Sequence, residues 1–197
     1  RIARRFGVNV FGRKRNPLMH KANPPGVHGA RRKKKSDYGI QLDEKQRLKA
    51  VYGMLREKQL VNYFRKASQQ QGVTATNFLR LLECRLDNLV YRTKLAPTIF
   101  AAQQLVSHGH ICVDGRKVDR RSFQVKPGMI ISVREKSRNM NLVKESLEDA
   151  SRVTPDYISL DGPAFSATLL ALPEPEGVSY PLEINFPHIC ELLAHTT

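Results

Sequence analysis

The sequence contains no tryptophan, three cysteines, and aromatic residues at only 7% of its length. Few aromatics speak against a base-stacking platform, since single-strand binders display Phe, Tyr and Trp on their surfaces. Cys84, Cys112 and Cys190 are far apart and odd in number. That pattern offers neither a disulfide framework nor a metal-ligand pair. They read as small core residues of a protein in a reducing compartment. No apolar run approaches the length of a membrane span, so no membrane partner is expected. The first fifteen residues are too charged for a secretory signal. The chain opens on Arg1 rather than Met, which reads as a residue or two missing or removed. A Gly-rich phosphate loop, a His-Glu metal signature and a nucleophile elbow are all lacking, and the Ser, His and Asp residues show no triad spacing. The chain therefore does not read as an enzyme, and no cofactor is expected.

One further absence is local. Residues 1–35 hold no Asp or Glu but twelve Lys and Arg. The chain has 197 residues, 33 Lys and Arg against 18 Asp and Glu, and a formal charge of +15. Such a surface repels itself unless a polyanion neutralises it. The excess is uneven: residues 84–146 are also basic, whereas 147–197 hold one cation, Arg152, and eight acids. A basic block without acids reads as an arm that touches nucleic acid.

Pro17, Pro24, Pro25, Gly26 and Gly29 interrupt any helix in the arm, which is expected to order on its partner rather than fold alone. From Ser36 the texture changes. Leu42, Leu48, Val51, Tyr52 and Leu55 fall near helical spacing, and Leu60, Val61 and Phe64 continue it in a second helix after a bend at Gly53. Gly72 ends that unit. Thr74 is a candidate N-cap for a third helix, with Phe78, Leu82, Leu86, Leu89 and Val90 as its apolar stripe. On that helix Arg85, Asn88 and Arg92 share a face. Pro97 stops it, Thr98 caps a short fourth helix, and Gly109 ends that one. Asp114-Gly115 between short apolar runs is a strong hairpin signal. Pro127-Gly128 marks another turn, and residues 129–133 read as a strand. A helix within 135–150, strands at 157–160 and 165–170, and a terminal helix at 186–194 complete the reading. The fold class is α+β. The expected domains are a basic arm (1–35), a helical domain (36–83) with 183–197 as its candidate completion, a module of two helices and a small antiparallel sheet (84–146), and a strand- and loop-rich extension of it (147–182).

Several blocks together resemble the bacterial-type family of small-subunit ribosomal protein number four. They are Pro25-Gly26-Val27-His28-Gly29, Ser36-Asp37-Tyr38-Gly39, Gln41-Leu42, Glu44-Lys45-Gln46 and Tyr52-Gly53. Further on come Arg85-Leu86-Asp87-Asn88, Val90-Tyr91-Arg92, Gln104-Leu105-Val106-Ser107-His108, Asp114-Gly115-Arg116 and Ser132-Val133-Arg134-Glu135-Lys136-Ser137. The resemblance implies an αL-type RNA-binding module joined to a helical domain. It implies a structural constituent of the small subunit that binds a junction of 16S-type rRNA early in assembly. It also implies neighbouring small-subunit proteins, a position near the messenger entry path with messenger RNA as a further candidate partner, and an influence on translational accuracy. The compartment it implies is the bacterial cytoplasm, or the stroma or matrix of an organelle. Two departures stand out. Ile99 and Gln103 occupy positions where the family often carries Arg, which shifts weight from that helix to the hairpin. Some members bind zinc through four N-terminal cysteines. Here residues 1–35 have none, and His20 and His28 cannot replace them, so no metal is expected.

Structured RNA is recognised through shape, phosphates and 2′-hydroxyls, which asks for Lys and Arg on a rigid surface. The expected module contacts are Arg85, Arg92, Lys94, Arg116, Lys117, Arg120 and Arg121, with Ser107, His108 and His110 as hydrogen-bond donors and Lys136 beside them. The arm is expected to contribute Arg4, Arg5, Arg13, Lys14, Arg15, His28, Arg31, Arg32, Lys33, Lys34 and Lys35, and the helical domain Tyr38 and Lys45. Tyr38, Tyr52, Tyr63 and Phe64 otherwise read as core aromatics. Asp87 reads as a brace for a neighbouring Arg or a backbone cap. Pseudouridine synthases place a catalytic Asp in an Arg-Leu-Asp context, but Asn88-Leu89-Val90 follows here instead of Thr-Ser-Gly. A free RNA chaperone is disfavoured by the long arm and helical unit. A helix-turn-helix DNA regulator is disfavoured by the hairpin.

Overall fold

The computed structural model describes residues 1–11, 16–21, 23–29 and 34–196. Among the described residues the helices are α1 (Ile2–Phe6), α2 (Asp37–Val51), α3 (Glu57–Ser68), α4 (Thr74–Glu83), α5 (Leu86–Arg92), α6 (Ile99–Ser107), α7 (Asn141–Glu148) and α8 (Phe186–Thr196). The strands are β1 (Ile111–Val113), β2 (Arg116–Lys117), β3 (Ile130–Val133), β4 (Ile158–Asp161) and β5 (Ser166–Leu169). The class is α+β, as the sequence reading has it. Packing separates two compact units, residues 1–75 with 180–197 and residues 76–179.

The first unit is helical. Ser36 caps α2 by accepting a hydrogen bond from the Gly39 N–H at 3.3 Å. On α3, Leu60, Tyr63, Phe64 and Ala67 are buried, at the spacing of one helix face. The terminal helix α8 packs on α2 and α3 and buries Ile189, Leu192 and Leu193. Polar contacts fix the seam. Gln41 Nε2 donates to Glu191 at 2.9 Å, the Asn185 N–H donates to Glu44 at 3.2 Å, and the Tyr52 and Tyr180 hydroxyls meet at 2.8 Å.

The expectation that residues 1–35 order on a partner rather than fold alone does not describe the start of the chain. Ile2–Phe6 forms α1, and Ala3 and Val10 are buried. The prolines begin only at Pro17 and Gly7 closes the helix at φ 70°, which leaves room for a turn of helix over the apolar Ile2, Ala3 and Phe6. Arg4 Nε then donates to the Asn23 carbonyl at 2.9 Å. The guanidiniums of Arg5 and Arg47 lie 5.6 and 5.9 Å from the Phe6 ring centroid.

In the second unit the continuous third helix of the sequence reading is also corrected. It breaks at Arg85, whose backbone is extended (φ −68°, ψ 136°). There the chain leaves helical geometry to pair with a passing segment. Arg85 bridges Gln124, the Leu86 N–H donates to Phe123 O at 2.9 Å, and the Val125 N–H donates to Cys84 O at 2.9 Å. Those bonds replace the helical ones that α4 and α5 forgo. The break reorients Asn88 and Arg92 relative to α4, so the face expected to join Arg85, Asn88 and Arg92 is not the surface of one long helix.

Thr98 caps α6 by accepting from the Ala101 N–H at 3.2 Å, and α6 packs on α5. The five strands form one antiparallel sheet in the order β2-β1-β3-β5-β4. Alternate residues Ile111, Val113, Ile131, Val133, Ala167 and Leu169 are buried. Cys112, Ser132 and Ser166 lie on the other face, in register across β1, β3 and β5, and Thr168 pairs with Ile130.

Candidate nucleic-acid interface

The site is built outward from the turn between α6 and β1. Gly109 sits there at φ 73°, a left-handed conformation that closes the helix. A Cβ at this position would lie 2.2 Å from Lys117 Cε, so the lysine stem rests directly on the glycine. Arg134 Nη1 donates to the Gly109 carbonyl at 3.3 Å. His110 Nδ1 lies 2.8 Å from Ser137 Oγ, which ends the short 3-10 turn Glu135–Ser137 that carries Lys136. One glycine thus gathers exposed Ser107, His108, Lys117, Arg134 and Lys136 and half-buried His110.

The hairpin beside it has the predicted geometry. Asp114 and Gly115 take φ 48° and 76°, the doubly left-handed turn that suits the right-handed twist of two strands. Asp114 Oδ1 accepts from the Ile130 N–H at 2.8 Å and ties the turn to β3. Exposed Arg116 and Lys117 form β2, an edge strand. Exposed Arg120 and Arg121 follow. Arg121 Nη1 donates to Gln103 at 3.4 Å, and Gln103 Nε2 donates to Asp87 at 3.3 Å. Gln103, the departure from the family's Arg, therefore links a surface cation to a buried carboxylate.

Three residues expected to meet RNA are turned inward instead. Arg85 is buried and gives Nε and Nη2 to the two Asp87 oxygens at 3.0 and 2.8 Å. Asp87 also accepts from the Asn88 N–H, so it braces an arginine and caps a backbone group. Arg92 donates to both Glu83 oxygens, at 2.9 and 3.2 Å, and to the Ser179 carbonyl at 2.7 Å. Lys45, 7% exposed, pairs with Glu57 at 2.7 Å. Each guanidinium or ammonium is committed because a buried carboxylate or helix neighbour leaves it no better partner. Lys94 stays half-exposed, in a left-handed conformation at φ 62°.

In the arm, Arg4 reaches backbone carbonyls, while Arg5 and Lys35 both bind the Asp43 carboxylate. His28 and Lys34 are exposed. Arg13, Lys14, Arg15, Arg31, Arg32 and Lys33 lie outside the described residues. Tyr38 departs from the core reading: it is 62% exposed, whereas Tyr52, Tyr63 and Phe64 are buried.

Sequence reasoning missed Arg134, whose signal was its place in the block 132–137, and Gln103 as a link. It also missed Glu83. That carboxylate is fully buried and accepts from Asn88, Arg92 and the Tyr157 hydroxyl at 2.7, 2.9 and 3.1 Å. Two of the three thiols are held in their protonated form. Burial, with Glu83 beside it, pushes Cys84 up to about 12, and burial pushes Cys190 up to about 11. Among the described residues no group of three or more His, Cys, Asp or Glu side chains is placed to hold a metal. No helix among them is long and apolar enough to cross a membrane.

Family comparisons agree along the whole chain. Residues 1–83 match the ribosomal protein S4/S9 N-terminal domain, and residues 84–131 match the S4 domain. A Protochlamydia amoebophila protein named small ribosomal subunit protein uS4 is 65% identical over 197 residues, covering all of this chain and 96% of its own. Proteins of the same name from Chlamydia muridarum and Chlamydia pneumoniae are 59% and 57% identical over 200 residues, with the same coverage. The chain belongs to the uS4 family of small ribosomal subunit proteins.

Proposed function

We propose that this chain is a structural, non-enzymatic constituent of the small ribosomal subunit and binds a junction of small-subunit rRNA during assembly. The carrying observation is the division of cations in residues 76–179. Arg116, Lys117, Arg120, Arg121 and Lys136 are exposed. Arg85 and Arg92 are committed to Asp87 and Glu83 beneath them. A scaffold whose buried arginines hold the frame, and whose exposed ones stand around a tight turn, suits a rigid polyanion with regularly spaced phosphates. Ser107, His108 and His110 supply donors for phosphate or 2′-hydroxyl oxygens at the same turn. The basic arm adds affinity that depends little on sequence. A position near the messenger path, contacts with other small-subunit proteins and an effect on decoding belong to the same reading, supported by family membership.

The test is rRNA binding across a salt series. Replacing Arg116, Lys117, Arg120 and Arg121 together by alanine should make the log–log salt slope shallower by about three, at roughly 0.7–0.9 for each phosphate no longer neutralised. Thermal stability should stay near that of the parent, because all four side chains are exposed. An unchanged slope would remove the hairpin from the interface.

A further inference from the structure

Arg152 is the one cation among the eight acids of residues 147–197. Coulombic attraction alone would seat it on one of those acids. Among the described residues no carboxylate lies within ion-pair distance of it. Its Nη1 donates to the Ala96 carbonyl at 2.8 Å and its Nη2 donates to the Tyr91 carbonyl. Its guanidinium carbon stands 4.3 Å from the Tyr91 ring centroid, within cation–π range. Burial pulls its pKa below the ordinary value, so the position costs free energy that a surface arginine would not spend.

The two carbonyls bracket residues 92–95, where α5 ends at Arg92 and the turn toward α6 begins. Thr93, Leu95 and Ala96 are buried in and beside that turn, and Lys94 is half-exposed. Lys94 adopts φ 62°, and its N–H donates to the same Tyr91 carbonyl at 3.2 Å. A left-handed lysine is strained, and persists only where its surroundings over-determine it. A planar fork spanning two carbonyls is such a surrounding, and lysine's point charge is not.

We infer that Arg152 is a positioning residue: it clamps the 92–95 turn and thereby aims the Lys94 ammonium at an RNA phosphate. This rests on the RNA-binding reading above, and it gives the acidic segment a role in recognition without touching RNA.

The test uses the full chain and a small-subunit rRNA transcript, titrated over a salt series with wild type, Lys94→Ala, Arg152→Lys and the double variant. Lys94→Ala should weaken binding about fivefold and make the salt slope shallower by nearly one. R152K keeps the charge but cannot span both carbonyls, so it should reproduce both changes, and the double variant should be no worse than K94A. A wild-type slope and affinity for R152K would overturn the inference, as would losses that multiply in the double variant. Should R152K fail to fold at the assay temperature, Tyr91→Leu replaces it. That change removes the ring beside the guanidinium and leaves the carbonyls. About a twofold loss, absent when Lys94 is already alanine, supports the clamp, and a loss that persists there overturns it. Wild type that ignores the transcript would refute the RNA-binding reading itself, whereas wild-type binding with an indifferent R152K refutes only the clamp.

Discussion

In residues 76–179 two carboxylates that pair with arginine are hidden, Asp87 at 1% exposure and Glu83 fully buried, while Glu174, the partner of Arg80, is 55% exposed. In residues 1–75 two of the pairing carboxylates lie nearer water, Asp43 at 14% and Glu57 at 46%, and each of these serves two cations, while Glu44, at 12%, holds Arg47 alone. Asp43 joins Arg5 and Lys35, and Glu57 joins Lys45 and Lys49. The two patterns have different consequences. A buried carboxylate that loses its cation is left as an unpaired charge in a poor solvent, so each member of the pair becomes indispensable to the fold. A wet carboxylate shared by two cations is replaceable, and its partners can exchange it for another anion at little cost. The second unit therefore uses Arg85 and Arg92 as frame, while the first holds Arg5 and Lys35 lightly and encloses Lys45, 7% exposed.

The largest expected effect follows from the frame. Asp87→Ala leaves the buried Arg85 guanidinium without either of its carboxylate oxygens, and should destabilise the protein by about 3–5 kcal/mol in urea unfolding. Asp43→Ala, measured in the same way, should cost about 1 kcal/mol or less. Equal costs for the two substitutions would erase the contrast between the units.

A smaller effect tests whether the exposed cations of the second unit are positioned by backbone. Gly109→Ala forces a side chain onto a left-handed residue and places its Cβ 2.2 Å from the resting place of Lys117 Cε. The backbone term should lower stability by about 1–2 kcal/mol. The lysine end is flexible and will move aside, so the same substitution should weaken rRNA binding by more than the stability loss explains. Lys117→Ala should abolish that extra binding loss. If Gly109→Ala lowers stability yet binds as wild type, the glycine serves the fold and not the placement of Lys117.

How far these features could be read from the chain depends on their physics. The Asp114-Gly115 turn was legible because two left-handed residues in succession restrict the amino acids allowed, and Thr98 because a cap needs a short side-chain oxygen. The rigid module around them was legible for the same local reason. The break at Arg85 was not. Nothing near Arg85 disfavours helix, and the stripe from Phe78 to Val90 continues through it. The cause is Gln124, thirty-nine residues on, whose segment takes over the backbone hydrogen bonds. Long-range pairing overrides local propensity without leaving a local mark. The same blindness explains Arg92 and Lys45: basic residues at helical spacing look alike whether a carboxylate waits beneath them or not. Arg152 was the inverse case, a cation in an acidic segment whose carbonyl partners lie more than fifty residues earlier.

The smallest expected effect concerns pH and belongs to the first unit. Burial pushes the Asp43 carboxyl up, but the hydrogen bonds and charges of Lys35 and Arg5 outweigh it and hold the group below its ordinary value of 3.8. Glu57 follows the same balance against Lys45 and Lys49, below an ordinary 4.5. A depressed acid contributes stability that is complete above its unfolded pKa and is lost as pH falls through its folded one. The pairs are therefore intact at neutral pH and fail only under acid stronger than these ordinary values. Because both sites are wet, their joint contribution should not exceed about 1–2 kcal/mol. In chemical unfolding, the Asp43→Asn variant should be less stable than wild type at pH 6, and the gap should close progressively below pH 3.8. Proteolysis of the arm should rise over the same acid range in wild type, and be faster in the variant above that range but converge with wild type below it. A gap that persists unchanged in strong acid would mean that Asp43 supports α2 by packing, and that its two cations are held by something else.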